Sequence, residues 1–323
     1  MFAARGIAVS FSVFVIVYCV LSLAVACGWR RAWMRVQRLS VHRAADFLFA
    51  LRMFPFITAA LITGAFTVPS FLLLEPRAID EPVGAVSLVL GACGVILGAI
   101  GVINAAAALR RASRAVAEWT RGAQFGESAG SVPVLKISPA FPAMTATGVF
   151  HPRILLSGAA ELQLAGGELQ TALNHELAHV RRADNLKKLL MRFVAFPGMR
   201  DLDAAWLEAT EMAADDAAVT TTREALDLAA ALIKLSRMVP EAAPTDLTAA
   251  LVHGPASAVH ARVERLLAWV EAGEDRSVSS RKCSSLYGLG CGLAAASATV
   301  AMFALTYSQV LAHVHTATEW LVR

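Results

Sequence analysis

Charge is scarce in this sequence. Only 17% of its 323 residues are Asp, Glu, Lys or Arg, against 57% apolar. Soluble domains carry about a quarter charged residues, so an ordinary soluble domain is excluded and membrane spans are expected. Cysteine is sparse too, and poorly placed for chemistry. Cys19, Cys27, Cys93, Cys283 and Cys291 lie in or beside apolar runs, and no C-x-x-C pair occurs. Neither a disulfide framework nor a thiolate zinc site fits that placement. No internal repeat is visible. The net charge of +4 comes mostly from arginines in short loops and identifies no partner, and direct nucleic-acid binding is not expected.

The apolar runs set the architecture. Residues 6–28 carry no charge and are long enough to cross a bilayer. Ala24, Val25 and Ala26 mimic a signal-peptidase site, with Cys27 after them. The run is nevertheless too long for a signal peptide, and a dense basic cluster follows it. That cluster is Arg30, Arg31, Arg35, Arg38, Arg43 and Arg52, with Trp29 and Trp33 as interfacial anchors. Only Arg5 precedes the run, so the positive-inside rule places the cluster in the cytoplasm and the N-terminus outside. A second span is expected over about 54–74, with Pro55 near its end and Pro69 able to kink it. The loop over residues 75–82 is short and mostly acidic, as an exterior loop should be. A third span covers about 83–109, rich in Gly and Ala and suited to close helix packing. Arg110, Arg111, Arg114 and Arg121 then return the chain to the cytoplasm. A fourth span is expected over about 286–311, with His313, His315 and Trp320 outside. A tail of roughly a dozen residues beyond Leu311 is too short to fold into a sensor of its own. A signal from outside would then come through another protein, through the spans, or not at all, and a membrane or exterior partner is the expectation.

Between the third and fourth spans lies the stretch with chemistry. Asn174-His175-Glu176-Leu177-Ala178-His179 reads H-E-x-x-H, and residues 169–190 contain no Pro or Gly. Leu173, Leu177, Val180 and Leu186 give a helical apolar face. Residues four apart on a helix lie roughly 5–6 Å apart on one face, so His175 and His179 can offer two imidazoles to one zinc ion. Glu176 is turned toward the open position, where it can take a proton from an attacking water. A solvated helix face bearing two histidines is the alternative, and a third ligand decides between them. Glu211 is the best downstream donor, on a helical stretch anchored by Trp206, Leu207, Met212 and Val219. Asp215, four residues on, shares its face and can accept the outer N–H of a ligand histidine. Asp184 braces the site by hydrogen bonds or pairs with a nearby arginine.

Residues 173–186 and 211–219 together resemble the BlaR/MecR-type membrane zinc metallopeptidases. The likeness extends upstream to Val132–Val134, Ser138, Pro139, Gly148 and His151–Ile154, and more weakly downstream to Arg262, Val263 and Leu266. It covers roughly the middle half of the chain. CAAX-prenyl-protease-like and HtpX-like membrane peptidases share H-E-x-x-H and a later E-x-x-x-D. The resemblance implies a regulatory cut in a cytosolic repressor, although no penicillin-binding sensor domain follows the last span. An HtpX-like quality-control peptidase and a non-catalytic signalling scaffold are the alternatives. His253 and His260 lie in the region where related peptidases place an oxyanion-stabilising group, but the spacing does not match well, and surface or packing roles are the favoured reading.

The expected fold is a mainly α membrane protein with four transmembrane helices and a zincin-like α+β metallopeptidase domain between the third and fourth. Residues 1–121 hold three spans and a basic cytoplasmic loop, 122–281 the zinc peptidase domain, and 282–323 the fourth span and a short exterior tail. Short strands are expected over about 132–138 and 153–157. The second of these is the candidate edge strand for pairing with extended substrate, with an ordinary buried hairpin as the equal alternative. The chain is placed in the cytoplasmic membrane, in contact with the lipid bilayer, with both termini outside. Cysteine labelling in intact cells should find positions 38 and 184 protected and positions 80 and 315 accessible. Labelling of position 184 from outside would overturn this topology.

Overall fold

The computed structural model describes residues 2–36, 40–75, 84–126, 128–138, 143–238, 247, 249–250, 256–271 and 307–318. Among these, three helical segments are long and apolar enough to cross a membrane: Phe2–Met34, Val41–Leu74 and Ala85–Trp119. They mark the chain as a membrane protein. The fourth expected span lies mostly outside the described residues. Residues 307–318 are helical, so His313 and His315 sit on a helix and not in a free tail.

Helix α1 (Phe2–Val36) and helix α2 (Val41–Ile62) both run well past the apolar stretches. The expected basic loop is therefore largely helical, and the second span's helix begins thirteen residues earlier than expected, at Val41 and not at 54. Arginine is a good helix former, so the helix continues where the hydropathy stops. Pro55 consequently falls inside α2. A π-helical turn at Thr63–Thr67 follows, then α3 (Val68–Leu74), where Pro69 lies at the start. Across the wider turn the Val68 N–H reaches the Thr63 carbonyl, and proline's missing donor falls where helical bonding is already being reset.

The chain divides into two compact units. The first comprises Met1–Val25, Phe54–Ala99 and Arg276–Arg323. In it α4 (Ala85–Trp119) approaches α1 through glycine. A Cβ on Gly91 would lie 3.2 Å from the Ala8 Cα, and one on Gly94 would meet the Phe11 ring at 2.8 Å. The Ser12 hydroxyl spans the same contact, 3.0 Å from the Ser87 carbonyl. With no hydrophobic drive in lipid, such close packing is what associates the helices. Arg5 pairs with Glu75 at 3.0 Å in this unit.

The second unit comprises Ala26–Met53 and Ile100–Asp275. Its sheet has the order β1-β2-β4-β3-β5, with β1 Gln124–Phe125, β2 Val134–Ile137, β3 Met144–Thr147, β4 Arg153–Ser157 and β5 Ala249–Ala250. Only β2 and β4 run parallel. β4 is interior, which corrects its expected role as the edge. Ile154, Leu155 and Leu156 are buried in succession, as a strand covered on both faces requires. The outer side of β3 is paired with β5, Ala146 facing Ala249.

Among the described residues six further helices complete the unit: α5 (Gly158–Gln163), α6 (Gly166–Arg181), α7 (Asp184–Phe193), α8 (Arg200–Ala218), α9 (Thr222–Ser236) and α10 (Ala256–Glu271). Ser157 caps α5 by accepting the Ala160 N–H. Thr221 and Glu224 form a capping box on α9. Leu228, Leu232 and Leu235 of α9 are fully buried in one core with Leu156, Leu177, Val263 and Leu266. Leu232→Ala should cost about 2–5 kcal/mol, read as a lower Tm of the purified protein.

Candidate metal centre

Helix α6 carries His175, Glu176 and His179 on its buried side. It ends at Arg181, and the chain turns at Ala183, whose backbone is left-handed (φ 53°, ψ 40°), the one described non-glycine residue with positive φ. That conformation costs an alanine about 1–2 kcal/mol. It turns the chain sharply enough that Asp184, opening α7, reaches back to His179. Helix α8 brings Glu211 and Asp215 against α6, one turn apart. Helix α10 contributes Arg262.

The donor atoms converge. His175 Nε2 and His179 Nε2 lie 3.1 Å apart. Glu211 offers Oε2 at 3.6 Å from the first and Oε1 at 3.6 Å from the second. These three residues form a group that could hold a metal ion. For zinc bonds of about 2.0–2.1 Å, the edge of a tetrahedron is about 3.3–3.4 Å. The observed separations bracket that edge, so the residues fit a small tetrahedral cation.

A carboxylate stands against each outer ring nitrogen. His179 Nδ1 is hydrogen-bonded to Asp184 Oδ2 at 2.8 Å, and His175 Nδ1 is in ion-pair contact with Asp215 Oδ1 at 2.9 Å without hydrogen-bond geometry. Carboxylates placed this way fix the tautomer that presents Nε2 to a metal. Arg262 grips Asp215 with two bonds, Nε–Oδ2 at 2.8 Å and Nη2–Oδ1 at 2.6 Å, and reaches Glu211 Oε2 with Nη1 at 3.1 Å. It is 6% exposed. Burial raises the pKa of both carboxylates, and cationic neighbours more than reverse it. His179, His175 and Arg262 hold Glu211 at about 2, and Arg262 with His175 pushes Asp215 well below the usual carboxylate range.

Glu176 is fully buried, and burial raises its pKa. Its Oε2 accepts the Ala146 N–H of β3 at 2.6 Å. Its Oε1 has no hydrogen-bond partner among the described residues. One oxygen is thus pinned to the sheet and the other is open. Asn185 Nδ2 donates to the Ala146 and Gly148 carbonyls at 3.2 and 3.3 Å, so β3 is tied to the centre from two helices. Lys188, one turn along α7 from Asp184, stands in the field of Glu211, Asp184 and Glu176. Its burial lowers its pKa.

A family model described as BlaR1 peptidase M56 matches residues 83–266, more than half of the chain. The chain belongs to this family. Membership implies peptidase activity and suggests a membrane metallopeptidase. A comparison with curated proteins found no match.

The structure brings together all six residues singled out in the sequence: His175, Glu176, His179, Glu211, Asp184 and Asp215. The two oxyanion candidates are not among them. His260 faces solvent, 74% exposed and 3.1 Å from Glu264. His253 lies outside the described residues. Sequence reasoning missed the roles of Arg262, Asn185 and Lys188 at the centre. Arg262 had a signal: it lies with Val259, Val263 and Leu266 on a face of α10 that should be apolar, and a lone arginine there needs a buried anion.

Without metal, His175 is held protonated to about 9. Burial opposes this, and the contacts with Asp215 and Glu211 outweigh it. A metal ion binds only the neutral imidazole and so displaces that proton. Apparent metal affinity should therefore rise with pH up to about 9 and level off above. Chelator competition across pH 6–10 measures this, and a flat profile would contradict it.

Proposed function

We propose that this chain is an integral-membrane, zinc-dependent endopeptidase. It cleaves a protein substrate at the cytoplasmic side, making a regulatory cut in a repressor or signalling protein. The supporting observation is Glu176: one oxygen pinned by the Ala146 N–H, the other open, beside three donors spaced for a tetrahedral cation. His175, His179 and Glu211 hold the zinc, which when bound supplies Lewis-acid polarisation of the scissile carbonyl. Glu176 accepts the proton of the attacking water and passes it to the leaving amine. Its raised pKa suits a base that must also give the proton back. Asp215 and Asp184 fix the histidine rings, and Arg262 holds Asp215 and Glu211 in place. Substrate backbone lies along β3, where the two-residue β5 now pairs, so that the scissile bond is presented next to Glu176.

Arginines at the ends of the first and third spans support the cytoplasmic placement. Family membership supports a regulatory cut more than bulk degradation. The presence of all three donors and the base supports an enzyme over a scaffold.

Glu176→Gln should retain zinc and the fold yet lose nearly all cleavage, since an amide cannot take the proton. Glu211→Ala should lose zinc or hold it far more weakly. Elemental analysis and comparison of cell proteomes carrying wild type or Glu176→Gln read both effects and identify the substrate. Near-wild-type cleavage by Glu176→Gln would sink the mechanism.

A further inference from the structure

The first turns of α2 are bonded to the helices that build the metal centre. His42, Asp46, Phe49 and Arg52 are spaced 4, 3 and 3 residues apart and share one helix face. His42 Nδ1 is 3.3 Å from Arg182 Nη1. Asp46 Oδ1 accepts from Arg182 Nη2 at 3.2 Å and from Lys187 Nζ at 3.5 Å. The Phe49 ring packs on Trp206, centroids 6.2 Å apart, with the Lys187 ammonium 5.6 Å from its centre. Arg52, 2% exposed, donates to Asp203 at 2.8 Å and to the Val194 carbonyl at 2.5 Å.

The two cations that Asp46 holds also stand beside Asp184. Arg182 Nε and Lys187 Nζ each lie 3.7 Å from Asp184 Oδ1. That oxygen is buried and has no hydrogen bond among the described residues. The other oxygen of Asp184 holds the His179 ring. A carboxylate with one oxygen on an imidazole and the other balanced by cations at 3.7 Å is sensitive to where those cations stand. Their position is shared with Asp46, on a helix that continues to Ile62 as part of an apolar segment.

We propose that Asp46 is a positioning residue for the metal centre. It holds Arg182 and Lys187 at their distance from Asp184, and so sets how firmly Asp184 holds His179. A displacement of α2 is then felt as a change in metal affinity. The inference rests on the metallopeptidase reading above. An ion pair this exposed (Asp46 is 62% exposed) adds little to folding stability, so its removal should not unfold the protein. Groups that directly support a ligand histidine change metal affinity by about 10–100-fold, and a residue one contact further out should change it by less, about 3–10-fold.

The test uses the full chain in lipid nanodiscs, with zinc release measured by chelator competition and Tm measured metal-free. Asp46→Ala should release zinc about 3–10-fold more readily with an unchanged metal-free Tm. Asp46→Glu should restore wild-type release. Asp201→Ala, which breaks the Arg30–Asp201 pair in the same unit, should match wild type. Wild-type release by Asp46→Ala overturns the inference, as does a lowered metal-free Tm with release unchanged, or weakened binding in Asp201→Ala. A wild-type protein that binds no zinc overturns the metallopeptidase reading as well, whereas tight binding by both wild type and Asp46→Ala overturns only this one.

Discussion

Taking a carboxylate out of water costs several kcal/mol, and this centre does so repeatedly within one small volume. Glu176, Asp184 and Asp215 are almost fully buried, and Glu211 is nearly so. The arrangement holds because each is given something specific to bind. Asp215 has Arg262 and His175, Glu211 has Arg262 and both histidines, Glu176 has a backbone N–H, and Asp184 has His179. Removing one cation would strand more than one anion. Packing of α6, α8 and α10 around the centre thus follows from charge balance as much as from the leucines of α9.

The same constraint separates the two carboxylate roles. Glu211 and Asp215 face cations directly and stay ionised, one as a donor and the other as a brace. For Glu176 burial outweighs the pull of His175, His179 and the Ala146 N–H, and the Glu211 charge adds to it, so its proton affinity rises. Equivalent side chains one helix apart are set to different tasks by what surrounds them.

Much of the centre was legible in the sequence because its logic is local. H-E-x-x-H and E-x-x-x-D each place their residues on one helical face, and helical spacing needs no knowledge of the rest of the fold. What could not be read depends on juxtaposition. Arg262 is separated from Asp215 by 47 positions, and Asp46 from Arg182 by 136. The candidate edge strand was misplaced for a related reason. Arg153–Ser157 looks like a strand because it is apolar throughout, but that pattern marks an interior strand. Met144–Thr147, which touches the base, has too little pattern to stand out. The basic loop was read as a loop because hydropathy ends there, while helicity does not.

Arg262 lies on the last helix described in the peptidase unit, well after every donor it supports. A growing chain therefore makes the donors and the base long before the guanidinium that neutralises the carboxylates around them. Until that arginine has been synthesised, Asp215 lacks the cation that lets it remain buried and ionised. The unfinished polypeptide holds the ligands without the counter-charge that lets them sit together.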